Sequence, residues 1–159
     1  MAITSSKKAS KSGRLIRTQY GARPYRFTKS GSLQLLLVTS RQTKRWIIPK
    51  GWPIKGLKPA PSAAREAYEE AGIEGLVGKK AIGTYIYGKQ AEDDGKTVLC
   101  EVTVFTLLVR RQRKTWPEDH ERERRWLAPA KALSLIEEDD LRKLISAFVK
   151  RASVRAARA

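Results

Sequence analysis

The chain has 159 residues, 33 Lys and Arg against 16 Asp and Glu, a formal charge of +17 and 41% hydrophobic residues. That length fits one domain with a proper core, and no apolar run approaches the roughly 20 residues that a membrane-spanning helix needs. A lone cysteine, Cys100, excludes an internal disulfide and any multi-cysteine zinc centre, fits a reducing cytoplasm, and lies in an apolar run as a buried thiol. The charge asks for an anionic partner: nucleic acid, an anionic surface or a phosphate-rich small molecule.

In chain order, residues 1–18 read as a basic, flexible tail, since "MAITSSKKASKSGR" is rich in Ser and Lys and lacks an apolar segment. One domain is expected over 19–152, with a short tail at 153–159. "SLQLLLVTS" (32–40) predicts a buried strand and "RWIIP" (45–49) a short one ended by Pro49. The Gly- and Pro-rich "KGWPIKGLKPAP" is a loop. "SAAREAYEEAG" (62–72) predicts a helix with Ser62 as N-cap and Gly72 as its stop. Strands follow at 80–90, 97–109 and 124–129, with "AEDDGK" turning the chain between the first two. "AKALSLIEE" and "DLRKLISAFVKRA" carry helical periodicity. The pattern is α/β, a mixed sheet with helices on both faces.

The first acidic residues of the chain are Glu66, Glu69 and Glu70; fifteen Lys and Arg precede or adjoin them with no Asp or Glu. On a helix they share one face, where they repel one another. Taken alone, such a cluster reads as a solvated helix face. A divalent cation would relieve the repulsion, and all-oxygen ligation suits Mg²⁺ or Mn²⁺ over zinc.

The surrounding spacing sharpens this. Gly51, Arg65, Glu66, Glu69, Glu70, Gly72 and Ile73, with Ala67 at an aliphatic position, resemble the Nudix box, G-x5-E-x7-R-E-U-x-E-E-x-G-U. One position departs: Leu57 stands where the box has its first glutamate, which leaves Arg65 to find another partner, such as a backbone carbonyl. The resemblance implies an α/β/α sandwich and a metal-dependent hydrolase of diphosphate-containing substrates. It implies Glu66 and Glu70 as the main metal ligands, Glu69 as a ligand or activator of water, and a backbone carbonyl near Lys50 and Gly51. Candidates outside the box for the general base are Glu101, Glu118, Glu121 and Glu123. His120 reads as a surface residue.

"TSRQTKRWIIPKGWP" is similar to the entry to the box in diphosphoinositol polyphosphate phosphohydrolases, at Ser40, Arg41, Arg45, Trp46, Ile47 and Pro49. Lys50-Gly51-Trp52 departs from their glycine run, as Arg125 does from their acid before the tryptophan. Arg41, Arg23, Arg26, Lys44, Lys50, Arg122 and Arg124 are candidates for ringing the pocket, since guanidinium forks match phosphate oxygens. Trp52 would stack on a base, cap the pocket or pack in the loop. The expected substrate is a highly anionic diphosphate of the diphosphoinositol or diadenosine polyphosphate class. The alternatives are a nucleotide or RNA 5′ end, and a non-catalytic Nudix-fold module that binds a phosphorylated ligand or RNA. A membrane partner is not expected.

Overall fold

The computed structural model describes residues 7–9, 15–90 and 97–158. Most of the expected N-terminal tail and the turn over 91–96 lie outside the described residues. Among the described residues, nine strands and three helices follow the order β1 (Lys7–Ala9), β2 (Leu15–Phe27), β3 (Leu33–Thr39), β4 (Trp46–Ile47), β5 (Lys50–Gly51), α1 (Pro59–Ala71), β6 (Ile73–Val77), β7 (Gly83–Gln90), β8 (Thr97–Gln112), β9 (Arg124–Leu127), α2 (Pro129–Leu135) and α3 (Asp139–Arg158).

The sheet is mixed. Its spine is the parallel pairing of β2 with β8, running from Ile16 opposite Leu99 to Tyr25 opposite Leu108. β8 also pairs antiparallel with β6 and β7, and β3 pairs antiparallel with β2, β4 and β9. The apolar run in β3 is buried on both faces, as an interior strand requires. Leu36 and Val38 face α1, with Ala22, Phe105 and Leu107. Leu35 and Leu37 face the opposite core, with Tyr85, Val102, Leu127 and, from α2 and α3, Ala132, Leu141 and Ile145. The expected α/β/α layering is therefore present.

Several boundaries differ from the sequence reading. β2 begins inside the stretch assigned to the tail, and β1 pairs antiparallel with it. Interior Arg23 and Pro24 hide β2 from a periodicity argument, because a proline inside a run argues against a central strand. β6 was not expected either. α3 continues through Arg158, where a tail from 153 was expected. α1 starts earlier than expected: Lys58 is its N-cap and Pro59 opens the helix, because proline's fixed φ is already helical and its missing N–H costs nothing there. Ser62 is thus an interior residue, wholly buried, whose N–H donates to the Lys58 carbonyl at 3.0 Å.

α1 sits close to the sheet through Ala63, Ala67 and Ala71, all fully buried at i, i+4 and i+8. It ends as expected at Gly72, which takes φ 65° and ψ 33° and donates its N–H to the Tyr68 carbonyl. A Cβ there would lie 2.8 Å from Arg124 Nη1 and 2.9 Å from the Trp116 Cβ. Gly72→Ala should therefore lose about 1–2 kcal/mol through left-handed strain and crowding. Urea denaturation measures it, and an unchanged midpoint would contradict the account.

Candidate active site

Glu66, Glu69 and Glu70 all line one cleft of about 1200 Å³. The helix supplies the common face, and the alanine stripe beside it presses that face against the β5 loop. Glu66 lies against Gly51 so closely that any Cβ there would overlap its carboxylate. No hydrogen bond reaches the Glu66 carboxylate among the described residues. Glu69 Oε1 accepts from Arg65 Nε at 3.1 Å. This answers the question raised by Leu57: Arg65 pairs within the helix, four residues on, and not with a backbone carbonyl, while Leu57 is itself exposed.

Glu70 is the most enclosed of the three, at 5% exposure. Both oxygens are engaged: Oε2 accepts from the Lys50 N–H at 2.9 Å and Oε1 from Arg122 Nη2 at 2.9 Å. Its backbone carbonyl also accepts from Trp116 Nε1 at 2.9 Å. Arg122 further donates from Nε to Glu118 Oε1 at 3.0 Å and from Nη1 to the Thr39 carbonyl at 3.0 Å. Glu118 is tied to the helix end, its N–H donating to the Glu69 carbonyl.

Burial first, and then the neighbouring Glu70, Glu69 and Glu118, push the Glu66 carboxyl up to about 8 against a weaker pull from Arg122. Burial also raises Glu70, to about 7, opposed by Arg122 and by the Lys50 charge and N–H. Lys50 is moved the other way, lowered by burial and partly restored by Glu70. A carboxyl that is desolvated, crowded by like charge and without a hydrogen-bond donor is a ready place for a cation. Among the described residues, no three Asp, Glu, His or Cys side chains gather closely enough to enclose an ion unaided. A hard cation held here would complete its shell with water and substrate oxygens. The donor set is all oxygen, so the residues fit the group.

The basic candidates separate. Arg41 and Lys50 line the cleft, joined by Arg45 and Lys89. Among the described residues, Arg41 is held by an exposed pair with Glu121 at 3.6 Å, and Arg45 by one with Glu137 at 3.2 Å and by a hydrogen bond from its Nε to Thr43 Oγ1 at 3.3 Å. Lys50 Nζ lies 4.5 Å from the centroid of the Tyr87 ring. Arg23 is not in the cleft: it is 1% exposed, with its guanidinium 3.3 Å from the Phe148 ring under α3. Arg26 stacks on Trp126 at 4.0 Å and donates to Gln34. Arg124 clasps the end of α1, donating to the Ala71 and Arg113 carbonyls. Arg122 reaches the cleft, but all three of its nitrogens already serve protein acceptors, so it is an internal brace and not an open phosphate fork. Lys44 Nζ donates to the Glu121 carbonyl away from the carboxylates.

His120 is an exposed surface residue paired with Asp119, as expected. Of the outside acids, Glu118 lines the cleft beside the α1 face and Glu121 and Glu123 do not. Trp52 also lines it, with Arg17 and Lys89 at 5.8 and 5.2 Å from its ring centroid. Sequence reasoning passed over Lys89, Glu138 and Trp116. Lys89 carried a faint signal as a polar position on an alternating strand, whereas Trp116 carried none, since its role depends on a loop folding back onto α1.

These features agree with comparison to known proteins. The NUDIX domain family model matches residues 23–148. Nudix hydrolase 21, chloroplastic, of Arabidopsis thaliana is 32% identical over 136 residues, covering 82% of this chain and 65% of that protein, so this chain spans just under two thirds of that relative. Human diphosphoinositol polyphosphate phosphohydrolase 3-alpha is 30% identical over 105 residues, covering 65% of this chain and 59% of that one. Among solved structures, a C. elegans Ap4A hydrolase binary complex superposes with a TM-score of 0.64 at 20% identity, over 86% of this chain and 97% of that one, a likeness of fold. With the box glutamates on α1, the box glycine Gly51 against it, and the family model spanning most of the sheet and its helices, the chain belongs to the NUDIX domain family.

Proposed function

We propose that this chain is a divalent-cation-dependent pyrophosphohydrolase that breaks a P–O–P bond in a highly anionic diphosphate, with water as the attacking group. The observation that carries the reading is the pairing of an acidic helix face with a cationic rim in one cleft. Its volume of about 1200 Å³ exceeds what drug-sized ligands usually occupy, which favours a large polyphosphate. Glu66 and Glu70, with Glu69 and the Gly51 carbonyl, are the groups to hold Mg²⁺ or Mn²⁺. When bound, such an ion neutralises phosphate charge, polarises the phosphoryl group and acidifies water. Arg41 and Arg45 receive the substrate: their exposed pairs contribute only about 0–1 kcal/mol each, so a phosphate replaces the carboxylate at little cost. Lys50 and Lys89 hold the other side of the cleft. Glu118, tied to α1 yet outside the box, joins Glu69 as a candidate to activate water.

The diphosphoinositol and diadenosine polyphosphate classes suit this rim best. A second reading, a nucleotide or RNA 5′ end, is favoured by Trp52, an aromatic ring lining the cleft beside Lys89 that suits base stacking. The buried thiol of Cys100 fits work in a reducing compartment, the cytoplasm among them, and no helix among the described residues is long and apolar enough to cross a membrane.

Phosphate release across one panel tests the reading: a diphosphoinositol polyphosphate, diadenosine penta- and tetraphosphate, ADP-ribose, nucleoside triphosphates and 5′-triphosphate RNA, each with Mg²⁺. The most phosphorylated members should turn over fastest, and Glu66→Gln should lower turnover by about 10²–10⁴-fold. Tight binding without turnover of any member would instead make the protein a binding module.

The carboxyls of Glu66 and Glu70 also fix a pH dependence. Their folded values of about 8 and 7 lie above the ordinary 4.5. The fold therefore binds these protons more tightly than the unfolded chain does. Its advantage is full below that ordinary value and is lost as pH rises through the folded ones. Without divalent cations, the melting temperature should fall by several degrees between about pH 5 and about pH 8. Mg²⁺ should flatten that slope, and Glu66→Gln should reduce it. A melting temperature that rises over the same range would contradict the assignment.

A further inference from the structure

The carboxylates of the cleft are not all equally available. Glu66, Glu69, Glu70 and Glu118 all line it, and two guanidinium groups already serve three of them. Arg65 is spent on Glu69 at 3.1 Å. Arg122 bridges Glu70 at 2.9 Å and Glu118 at 3.0 Å. The Arg122 side chain is only 7% exposed, and its third nitrogen is fixed to the Thr39 carbonyl at the end of β3. It therefore cannot swing aside as a surface arginine can.

Resting on the reading of the site as a divalent-cation centre, we propose that Arg122 is a positioning residue that acts as a built-in cation: it fixes Glu70 and Glu118 and limits the substrate-free chain to one tightly held divalent ion, beside Glu66. The physics follows from burial. A desolvated carboxylate needs a counter-charge, and a guanidinium locked by three hydrogen bonds supplies it permanently. An ion approaching Glu70 has to compete with a charge that is already in contact and cannot leave without stranding itself among buried acceptors. An ion approaching Glu66 meets no such competitor, because nothing donates to that carboxylate among the described residues. Ions beyond the first then arrive with the substrate, whose phosphate oxygens supply the missing negative charge.

Two measurements on the full chain test this. The first is Mn²⁺ binding followed by electron paramagnetic resonance, without substrate, on the natural protein, Arg122→Met and Arg122→Lys. One tight Mn²⁺ per chain is expected for the natural protein and a second equivalent for Arg122→Met. Arg122→Lys should stay at one, since it keeps the charge, though without the three-way fork. Two tight ions in the natural protein, or an unchanged count and affinity in Arg122→Met, overturns the proposal while leaving the cation centre intact. No Mn²⁺ binding by the natural protein overturns both. The second measurement needs no variant and so survives poor folding of either: the Arg122 Nε–H resonance should stay protected from solvent exchange when Mg²⁺ is saturating. Its loss on Mg²⁺ addition would mean that the ion displaces Arg122, and would overturn the proposal.

Discussion

Arg122 donates from one guanidinium to the end of β3, to Glu70 on α1 and to Glu118 in the loop that precedes β9. Three separate parts of the chain are thereby tied at one charge that is closed to water. A buried ion pair of this kind contributes little net stability, because desolvation offsets much of the attraction, yet breaking one side leaves a stranded charge and is costly. Its effect is to fix geometry. Glu70 cannot rotate away from the Lys50 N–H, and the β5 loop that carries this N–H cannot lift from the helix. The positions of Gly51 and Glu66 follow from that contact.

The second control on geometry is apolar. Ala63, Ala67 and Ala71 let α1 approach the sheet closely, and their small size sets how near the acidic face comes to β5. Larger side chains in that stripe would push the carboxylates off the loop. At the far end, Arg124 stacks 3.9 Å from the Trp116 ring centroid and donates to the Ala71 carbonyl, closing the helix end that Gly72 opens. The two arginines that flank Glu123 thus do different work: Arg122 steadies the carboxylates and Arg124 the backbone beneath them. Neither is left open to the solvent side as a free phosphate donor.

The acidic helix was legible in the sequence because helical spacing alone places Glu66, Glu69 and Glu70 together, and the box spacing adds the loop glycine. The buried strand β3 was legible from its unbroken apolar run. The basic rim was legible only in part: Arg41 and Lys50 reach the cleft, and Arg23, Arg26 and Arg124 do not. Arginines look alike in a sequence, and what separates Arg41 from Arg23 is exposure: Arg41 stands in the loop after β3, whereas Arg23 lies on β2 against Phe148 of α3. Strand β2 itself was obscured by its own arginines and proline. Its register became clear only through its partner β8, a contact that local patterning does not contain. The pairing of Arg65 with Glu69 was available from i, i+4 spacing.

The parallel pairing of β2 with β8 also bears on how the chain reaches this fold. Residues such as Ile16 and Leu99 are paired although most of the domain lies between them in the sequence. Contacts of that kind raise the contact order and slow folding, because loop-closure entropy is lost before the pairing is rewarded. On a ribosome, β2 emerges early and has to wait for β8 before the centre of the sheet can close. During that interval its apolar residues Ile16, Tyr20, Ala22 and Tyr25 are unpaired. The arginines interleaved with them, Arg17, Arg23 and Arg26, then act as gatekeepers, their like charges keeping one waiting strand from joining another.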